Sequence, residues 1–186
     1  MDDVTLQTSR LTLRTITASF APQVLDFVTR NYEFHRPWDP LVSETFFTLA
    51  AQKERLNNDA KLHQNDLTIR LWMFHRDDVC HERVIGYLSF SNIIRGAFQS
   101  CHLGYKIDQQ MINKGLMTEA LGEAIRFAFE ELKLHRIEAN VMPRNAPSRR
   151  VVEKLGFENE GLARQYLKIN GVWEDHLHYV LLNPDV

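Results

Sequence analysis

Apolar and polar residues alternate with a period of two in several short segments of the chain, which is typical of half-buried β-strands. Residues 10–16 alternate strictly, and the last two such segments flank Asn170 and Gly171, a pair that favours a tight hairpin turn. About seven strands are expected, over residues 10–16, 67–74, 83–93, a segment that ends at Ile107, 136–142, 161–169 and 173–182.

Other segments repeat their apolar residues at three- and four-residue steps, which indicates amphipathic helices. The clearest stripe contains Met117, Leu121, Ala124 and Ala128. Four helices are expected, over about 18–30 with Thr17 as a cap, about 43–59 starting at Ser43, about 115–132, and 146–155 with Gly156 as its stop.

The order of these elements predicts a mixed α+β fold. Helices come early, a meander of strands follows, and the second half runs β-α-β-α-β-β. The 186 residues are enough for one domain with a real core, and no repeat or linker interrupts them. We therefore expect one domain over residues 1–186.

Composition excludes several classes of protein. The net charge of −2, from 22 Lys plus Arg against 24 Asp plus Glu, argues against nucleic-acid binding through a broadly basic surface. No apolar run approaches the roughly 20 residues that span a bilayer, and the N-terminus has no signal-peptide pattern. The two cysteines, Cys80 and Cys101, suit free thiols in a reducing compartment. We expect a cytoplasmic protein without a membrane partner.

The segment after the strand that ends at Ile107 has the features of an anion site. A polar loop and a single glycine, Gly115, lead into the 115–132 helix. Backbone N–H groups at a helix start have no intrahelical partner and lie at the positive end of the helix dipole. The N–H groups from Asn113 to Thr118 could hold a pyrophosphate, with Lys114 adding charge. An ordinary loop followed by a helix is the alternative.

The start of the 146–155 helix allows two interpretations that can both hold. Asn145 and Pro147 are good residues for a helix start, so Asn145 could be a simple cap. Asn145 and Ser148 could also contact a ligand. For metals, His176 and His178 share one face of a probable strand, but no further ligand stands at a useful spacing, so no metal is expected.

Taken together, these segments resemble the GCN5-related N-acetyltransferase superfamily, and within it the RimJ/RimL type, the ribosomal-protein-alanine N-acetyltransferases. The similarity covers nearly the whole chain. It is carried by Pro37-Trp38-x-Pro40, Phe90-Ser91-Asn92, Cys101-x-Leu103-Gly104-Tyr105, Gly115-Leu116-Met117-x-Glu119-Ala120-Leu121, His135-Arg136-Ile137, Glu160-Gly161 and Trp173-x-Asp175-His176.

The resemblance implies a central twisted, mostly antiparallel sheet with helices on both faces and a splayed strand pair that holds the cofactor. It implies acetyl-CoA as donor, no metal, and a primary amine as acceptor. The α-amine of a ribosomal protein that begins with alanine is the first hypothesis. A small-molecule amine and a non-catalytic CoA-binding module are the alternatives. A monomer or a homodimer is expected.

The resemblance also assigns roles to residues of the cofactor site. The backbone of the strand at Tyr105, Lys106 and Ile107 would pair with the pantetheine arm, which Asn145 would also bind. Ser148 would lie near the thioester sulfur and could protonate the leaving thiolate. The remaining cofactor contacts are expected from Ile112, Asn113, Lys114, Gly115, Leu116, Met117, Thr118 and Asn140.

Three positions depart from the general superfamily pattern. Ile112 replaces a Gln or Arg, Met117 replaces a small residue, and Val152 stands where many relatives carry a tyrosine general acid. The acid role then falls to Ser148.

The acceptor side and the base are less defined. His102 and Glu138 are candidates for a base that acts through water. An acetyl-Cys101 intermediate is a less favoured route. The acceptor is expected to contact Pro37, Trp38, Tyr87 and Tyr105.

Overall fold

The computed structural model describes residues 3–185. These residues form eight strands and five α-helices. The strands are β1 (Thr5–Gln7), β2 (Leu11–Arg14), β3 (Thr68–His75), β4 (Gly86–Ile94), β5 (Ser100–Ile107), β6 (Arg136–Val141), β7 (Glu158–Ile169) and β8 (Val172–Leu182). The helices are α1 (Ala21–Arg30), α2 (Tyr32–His35), α3 (Leu49–Gln64), α4 (Leu116–Glu130) and α5 (Ala146–Lys154).

All eight strands belong to one sheet with the order β1-β2-β3-β4-β5-β6-β8-β7. Every neighbouring pair is antiparallel except β5 and β6, which are parallel. Because α4 connects β5 to β6, that pair has the crossover connection that parallel strands require. The expected mixed fold with a mostly antiparallel sheet is confirmed.

The sheet opens between its two parallel strands. β5 and β6 pair only from Ser100–Arg136 to His102–Glu138. Beyond that point β5 stays paired with β4 as far as Ile107, and β6 stays paired with β8 as far as Val141. Each strand follows its antiparallel partner, so a gap widens between them in the middle of the sheet.

Helices cover both faces of the sheet. Strand β3 shows this because its buried side chains alternate between two clusters. Ile69, Leu71 and Met73 pack in the cluster that contains the buried face of α4. Trp72 and Phe74 pack in the other cluster, with Phe27 of α1 and Leu56 of α3. The core is thus divided by the sheet, with α4 on one side and α1 and α3 on the other.

The helix expected over 43–59 begins later than the sequence suggests. Residues Glu44–Phe47 form a short 3₁₀ turn, and the α-helix runs over Leu49–Gln64. Thr48, not Ser43, is the cap, since its Oγ1 accepts a hydrogen bond from the Ala51 N–H at 3.2 Å. The Ser43 side chain instead bonds that of Thr45, a local contact that competes with capping.

Other boundaries also differ from the prediction. Thr17 does not cap α1, because the 3₁₀ turn Ala18–Phe20 lies between them. Strand β4 begins at Gly86 rather than Arg83, and β7 begins at Glu158 rather than at 161. The eighth strand, β1, has three residues and was not predicted, because so short a segment shows no periodicity.

No helix within residues 3–185 is long and apolar enough to cross a membrane. The longest, α3, has 16 residues and carries charged side chains such as Lys53, Glu54 and Arg55 along its length. A spanning helix needs about 20 predominantly apolar residues.

Candidate active site

A cavity of about 630 Å³ lies where β5 and β6 part. Its walls come from parts of the chain that are distant in sequence. The longer segments are residues 103–107 of β5, 139–142 in and after β6, 111–113 and 115–118 around the start of α4, and six residues between 145 and 154. The remaining lining residues are Phe34, His35, Trp38, Asp39, Arg70 of β3, Tyr87 and Ser89 of β4, and His176 of β8.

The open edge of β5 forms one wall. From Leu103 onward this strand is paired only with β4, so its other edge faces the cavity without a strand partner. At the far end, the Ile107 carbonyl lies 2.9 Å from His35 Nε2. Because a carbonyl only accepts, the His35 proton is on Nε2, and burial lowers the pKa of this histidine. His35 therefore covers the end of the open edge as a neutral ring.

The N-terminus of α4 forms the second wall and is open to an anion. Gly115 precedes the helix at φ 73°, and no side chain caps it. Asn113 also has a positive φ, of 59°. The N–H groups of the first helical turn, which runs from Leu116 to Thr118, line the cavity without an intrahelical partner. Lys114 is exposed outside the lining, and its Nζ lies 3.6 Å from Met111 Sδ.

A carboxylate that the sequence did not single out holds this helix start in place. Glu119 accepts hydrogen bonds from the side chains of Thr8 at 2.6 Å, Ser9 at 2.9 Å and Arg10 at 2.6 Å. Arg10 also donates to the Lys114 carbonyl at 2.9 Å. Burial opposes ionisation of Glu119, but these hydrogen bonds prevail and lower its pKa to about 2. The β1–β2 connection is thereby tied to the loop before α4.

A pair of hydroxyl groups forms the third feature. Tyr105 Oη lies 2.7 Å from Ser148 Oγ and donates to the Ser148 carbonyl at 3.1 Å. Burial raises the pKa of Tyr105 to about 12, with the Ser148 hydrogen bond acting in the opposite direction. Asn145 accepts from the Ser148 N–H at 3.2 Å, so it caps α5 and also lines the cavity. Both interpretations of this motif are compatible with the structure.

Neither candidate base reaches the cavity. His102 and Glu138 face each other across the last paired rung of β5 and β6, with His102 Nε2 3.6 Å from Glu138 Oε2. Glu138 is also bonded to Arg136 at 2.7 Å, and His102 Nδ1 lies 3.0 Å from Asn92 Nδ2. These contacts hold both side chains outside the cavity lining, so a role as base would have to act through water and stays a prediction.

Cys101 is equally remote from the cavity. It is buried in the core, and burial together with the Glu138 carboxylate raises the pKa of its thiol to about 12. A thiol that stays protonated at neutral pH is a poor nucleophile. An acetyl-Cys101 route therefore has no support in the structure.

The acceptor-side residues are brought together only in part. Trp38, Tyr87 and Tyr105 line the cavity, whereas Pro37 does not. Pro37 contributes through its carbonyl, which accepts from Arg144 Nη2 at 3.4 Å, while the Arg144 guanidinium lies 5.1 Å from the centre of the Trp38 ring. Arg144 thus fixes the loop that carries Trp38.

Asn140 belongs to a polar cluster that sequence reasoning did not assemble. It lines the cavity, its Nδ2 donates to Tyr166 Oη at 3.4 Å, and its buried Oδ1 has no hydrogen-bond partner in the described chain. His176 also lines the cavity, and its ring packs on that of Tyr166. The predicted hairpin at Asn170 and Gly171 could have joined Tyr166 to His176, but only the fold pairs β6 with β8 and so brings Asn140 to them. Across residues 3–185, no group of three or more His, Cys, Asp or Glu side chains is placed to hold a metal ion.

The comparisons with known proteins agree with this geometry. The acetyltransferase (GNAT) domain family matches residues 10–158. The chain belongs to this family. The match extends from the Arg10 contact with Glu119, through the parted strands and α4, to the end of α5, so it contains most of the site.

Two curated relatives of this acetyltransferase are similar over nearly their whole length. One is the probable N-acetyltransferase YjcK of Bacillus subtilis, which is 40% identical over 93% of this chain and 94% of its own. Another is the [ribosomal protein uS5]-alanine N-acetyltransferase of Escherichia coli, which is 38% identical over 98% of this chain and 92% of its own.

Solved structures show the same fold. The ribosomal-protein-S5-alanine acetyltransferase from Vibrio fischeri superposes with a TM-score of 0.92 at 37% identity, over 98% of both chains. Mycobacterium smegmatis RimJ, solved in complex with CoA-disulfide, superposes with a TM-score of 0.89 at 24% identity, over 99% of this acetyltransferase and 88% of RimJ. The RimJ/RimL resemblance is confirmed, and the chain is an N-acetyltransferase.

Proposed function

We propose that this enzyme transfers the acetyl group of acetyl-CoA to the N-terminal α-amine of a protein, and that a ribosomal protein beginning with alanine is the acceptor. One observation carries the proposal. A single cavity contains the open edge of β5, the uncapped start of α4 and the Tyr105–Ser148 pair. The activity in the names of the Escherichia coli and Vibrio fischeri relatives supports the choice of acceptor.

The walls of the cavity fit the donor. An extended, amide-containing arm matches the open backbone edge of β5 around Tyr105 and Lys106, because amides there can pair as another strand would. The Ile107 carbonyl already accepts from His35, so this pairing would end before it. A pyrophosphate matches the N–H groups from Asn113 to Thr118 at the start of α4. The orphaned Asn140 Oδ1 needs a donor, which an amide N–H would supply. Ile112 and Met117 do not prevent this, since the backbone provides the cradle.

The hydroxyl pair fits the role of protonating the leaving group. Acetyl-CoA supplies an activated acetyl group as a thioester, so a thiolate must leave. The single Tyr105 proton can turn from the Ser148 carbonyl to Ser148 Oγ, since both acceptors lie within hydrogen-bond distance. When Tyr105 donates to Ser148 Oγ, the Ser148 proton is free to point into the cavity. Ser148 then donates to the leaving sulfur, and Tyr105 stabilises the charge that develops on Ser148. The proton that the attacking nitrogen loses restores the Ser148 hydroxyl, directly or through water. Val152 is fully buried and takes no part.

The acceptor amine needs little assistance. A protein α-amine has a pKa near 8, so a useful fraction is neutral at pH 7 and can attack directly. The acceptor would enter past Trp38 and Tyr87, which line the cavity on the side away from α4. We assign no base to the chain itself. Since Cys80 and Cys101 are both free thiols, we also propose that the enzyme works in the reducing cytoplasm.

The test is thiol release from acetyl-CoA by purified protein, with peptides that begin with Ala, Ser or Met. A matched Ala peptide with a blocked α-amine is the control, and a small-amine panel is run beside it. We expect turnover with free α-amines, fastest with Ala, and none with the blocked peptide. Turnover with small amines alone would overturn the protein acceptor. Binding of CoA without any turnover would favour the binding module.

A further inference from the structure

A second cavity, of about 220 Å³, opens beside the first. The two share four lining residues, His35, Asp39, Tyr87 and Lys106. We refer to this second cavity as the side chamber. Because it adjoins the acceptor side of the main cavity, a group on the acceptor close to the reacting amine could enter it.

Aromatic and aliphatic side chains form most of the side chamber. Phe27, Tyr32, Phe46 and Phe47 are among its walls, and the Tyr32 and Phe47 rings pack edge to face at 4.8 Å. Such walls suit the apolar stem of a side chain. Because these walls are apolar, only the few charged side chains of the chamber can distinguish one polar ligand group from another.

Among the described residues that line the side chamber, Arg55 of α3 is the arginine or lysine without an ion-pair partner, since Arg36 is paired with Glu33 at 3.2 Å. Within residues 3–185, no carboxylate forms an ion pair with Arg55. Its Nη1 donates to Gln52 Oε1 at 3.3 Å, and the Tyr87 hydroxyl is its other side-chain hydrogen-bond partner. By contrast, Lys106 is paired with Asp39, and the nearby Arg70 is paired with Asp59 at 2.6 Å. Most of the five donors of Arg55 therefore lack a partner.

Arg55 is held firmly in position. Its guanidinium carbon lies 5.6 Å from the Phe46 ring centre, 5.6 Å from that of Trp72 and 5.7 Å from that of Tyr87. Gln52 is fully buried and is itself fixed by a 2.5 Å hydrogen bond to the Phe46 carbonyl. When a ligand binds a half-buried arginine that is already fixed among rings, less side-chain entropy is lost than when it binds a mobile surface arginine.

The local field is positive. Burial and the Asp39 carboxylate both raise the pKa of Tyr87, yet Lys106, Arg55 and Arg70 together outweigh them and lower it. The same burial lowers the pKa of Arg55. An anion bound in the side chamber would raise the pKa values of both Tyr87 and Arg55 towards their ordinary values.

We propose that the side chamber is a subsite for a carboxylate of the acceptor, which Arg55 binds while the aromatic walls pack on its stem. This inference rests on the proposed function of the main cavity. The carboxylate can come from an acidic side chain at the second or third residue of a protein N-terminus, or from the terminal carboxylate of a small acceptor. Arg is the residue best suited to bind a planar carboxylate by two parallel hydrogen bonds.

The test compares matched acceptors that differ by one carboxylate. Ala-initiated peptides with Glu or Gln at position two, or at position three, carry an amidated C-terminus. We expect KM to be roughly tenfold lower for Glu than for Gln at one of these positions, with kcat little changed, as for a hydrogen-bonded ion pair at a partly buried site. A second comparison, between Ala-Ala and Ala-Ala amide, tests whether the side chamber binds the terminal carboxylate of a small acceptor.

Variants then assign the effect. R55Q should remove the Glu preference without changing KM for the Gln peptide, and R55K should restore part of it because it keeps the charge. K53Q is the matched control, since it removes a cation from the solvent-facing side of the same helix. Thermal unfolding of each variant shows whether it is folded. Equal KM values for all matched pairs in the wild type, or a preference that survives in R55Q, would overturn the subsite.

Calorimetric titration of the same acceptors in the presence of CoA separates the two proposals. If no acceptor turns over but carboxylate acceptors bind and R55Q abolishes that binding, the subsite stands and the proposed function fails. If peptides turn over without any carboxylate preference, the function stands and the subsite fails. If no carboxylate acceptor binds at all, the subsite is overturned.

Discussion

At the scale of single residues, the proposed chemistry depends on one hydroxyl, that of Ser148. Ser148 is placed by Asn145, which fixes its backbone, and by Tyr105, which fixes its Oγ at 2.7 Å. A general acid must be held within reach of the leaving thiolate, and these two contacts hold Ser148 in one position. Burial raises the pKa of Tyr105 to about 12, so its phenol stays protonated across the neutral range.

We expect Ser148→Ala to lower kcat by about 100-fold, the lower end for loss of a general acid, while the Kd for CoA changes less than threefold. Tyr105→Phe should lower kcat by a smaller factor, because Ser148 remains. Ser91→Ala, a hydroxyl outside the cavity, is the control. Steady-state kinetics and CoA titration measure both quantities. An unchanged kcat in Ser148→Ala would show that the thiolate leaves without this proton.

The ionised side chain of Glu119 stabilises the folded protein. Its pKa is about 2 in the folded protein, against about 4.3 in the unfolded chain, so folding favours the ionised form. The stabilisation is complete above pH 4.3 and is lost as the pH falls towards 2. We expect Glu119→Gln to lower the free energy of unfolding by about 1–2 kcal/mol at pH 7, because the side chain is partly exposed and screened.

Urea unfolding of wild type and Glu119→Gln at pH 7 and at pH 3 measures this contribution. The difference between the two proteins should shrink at the lower pH. Glu130→Gln is the control, because Glu130 forms a more exposed ion pair with Arg126 on the same helix and should change stability by less than about 0.5 kcal/mol. A difference that is independent of pH would show that the carboxylate charge does not matter.

At the scale of elements, the proposed anion cradle is the start of α4. Gly115 has φ 73°, a conformation that costs a residue with a side chain about 1 kcal/mol. Space is available, since an added Cβ would lie 3.6 Å from Arg10 Nη2. We expect Gly115→Ala to weaken CoA binding by several-fold through the shifted N–H groups. Gly96→Ala is the matched control, because Gly96 has φ 71° in a turn far from the cavity.

Titration with CoA and urea unfolding separate the two contributions for these glycine variants. Both should lose similar stability, and only Gly115→Ala should lose affinity for CoA. Equal affinity in the two variants would mean that the cradle tolerates movement of the helix start.

Most elements could be predicted from the sequence because their periodicity is local. The stripe of α4 and the hairpin at Asn170 are examples. Prediction was poorer where local signals compete. Ser43 followed by Glu44 resembles a helix start, yet the chain makes a 3₁₀ turn there and Thr48 caps the helix. Three-residue β1 had no pattern to detect.

The candidate site was predicted only where it is local in sequence. Segment 112–118 and the Asn145–Ser148 motif each lie within one turn or loop. The contact between Arg10 and Glu119 joins residues 109 positions apart, and only the fold brings them together. Likewise, the pairing of His102 with Glu138 depends on the parallel register of β5 and β6. The pattern of residues along the chain does not predict this strand register.

At the scale of the whole molecule, the donor should act as a structural component that bridges β5 and α4. Ligands that bind only the folded state stabilise it by about 2.7 kcal/mol at 100 times Kd, which corresponds to about 5–10 °C in Tm for a chain of this size. We expect that shift with acetyl-CoA and a much smaller one with acetyl-pantetheine at equal concentration, since it lacks the pyrophosphate. Equal shifts in thermal unfolding would contradict the cradle.

Regioselective acetylation tests the central claim most directly. Purified enzyme is incubated with acetyl-CoA and an Ala-initiated peptide that also contains an internal lysine, and fragment mass spectra locate the acetyl group. Our account predicts one acetyl group, on the α-amine, formed by the wild type and about 100-fold more slowly by Ser148→Ala. An acetyl group on the lysine ε-amine, or equal rates for the two proteins, would contradict it.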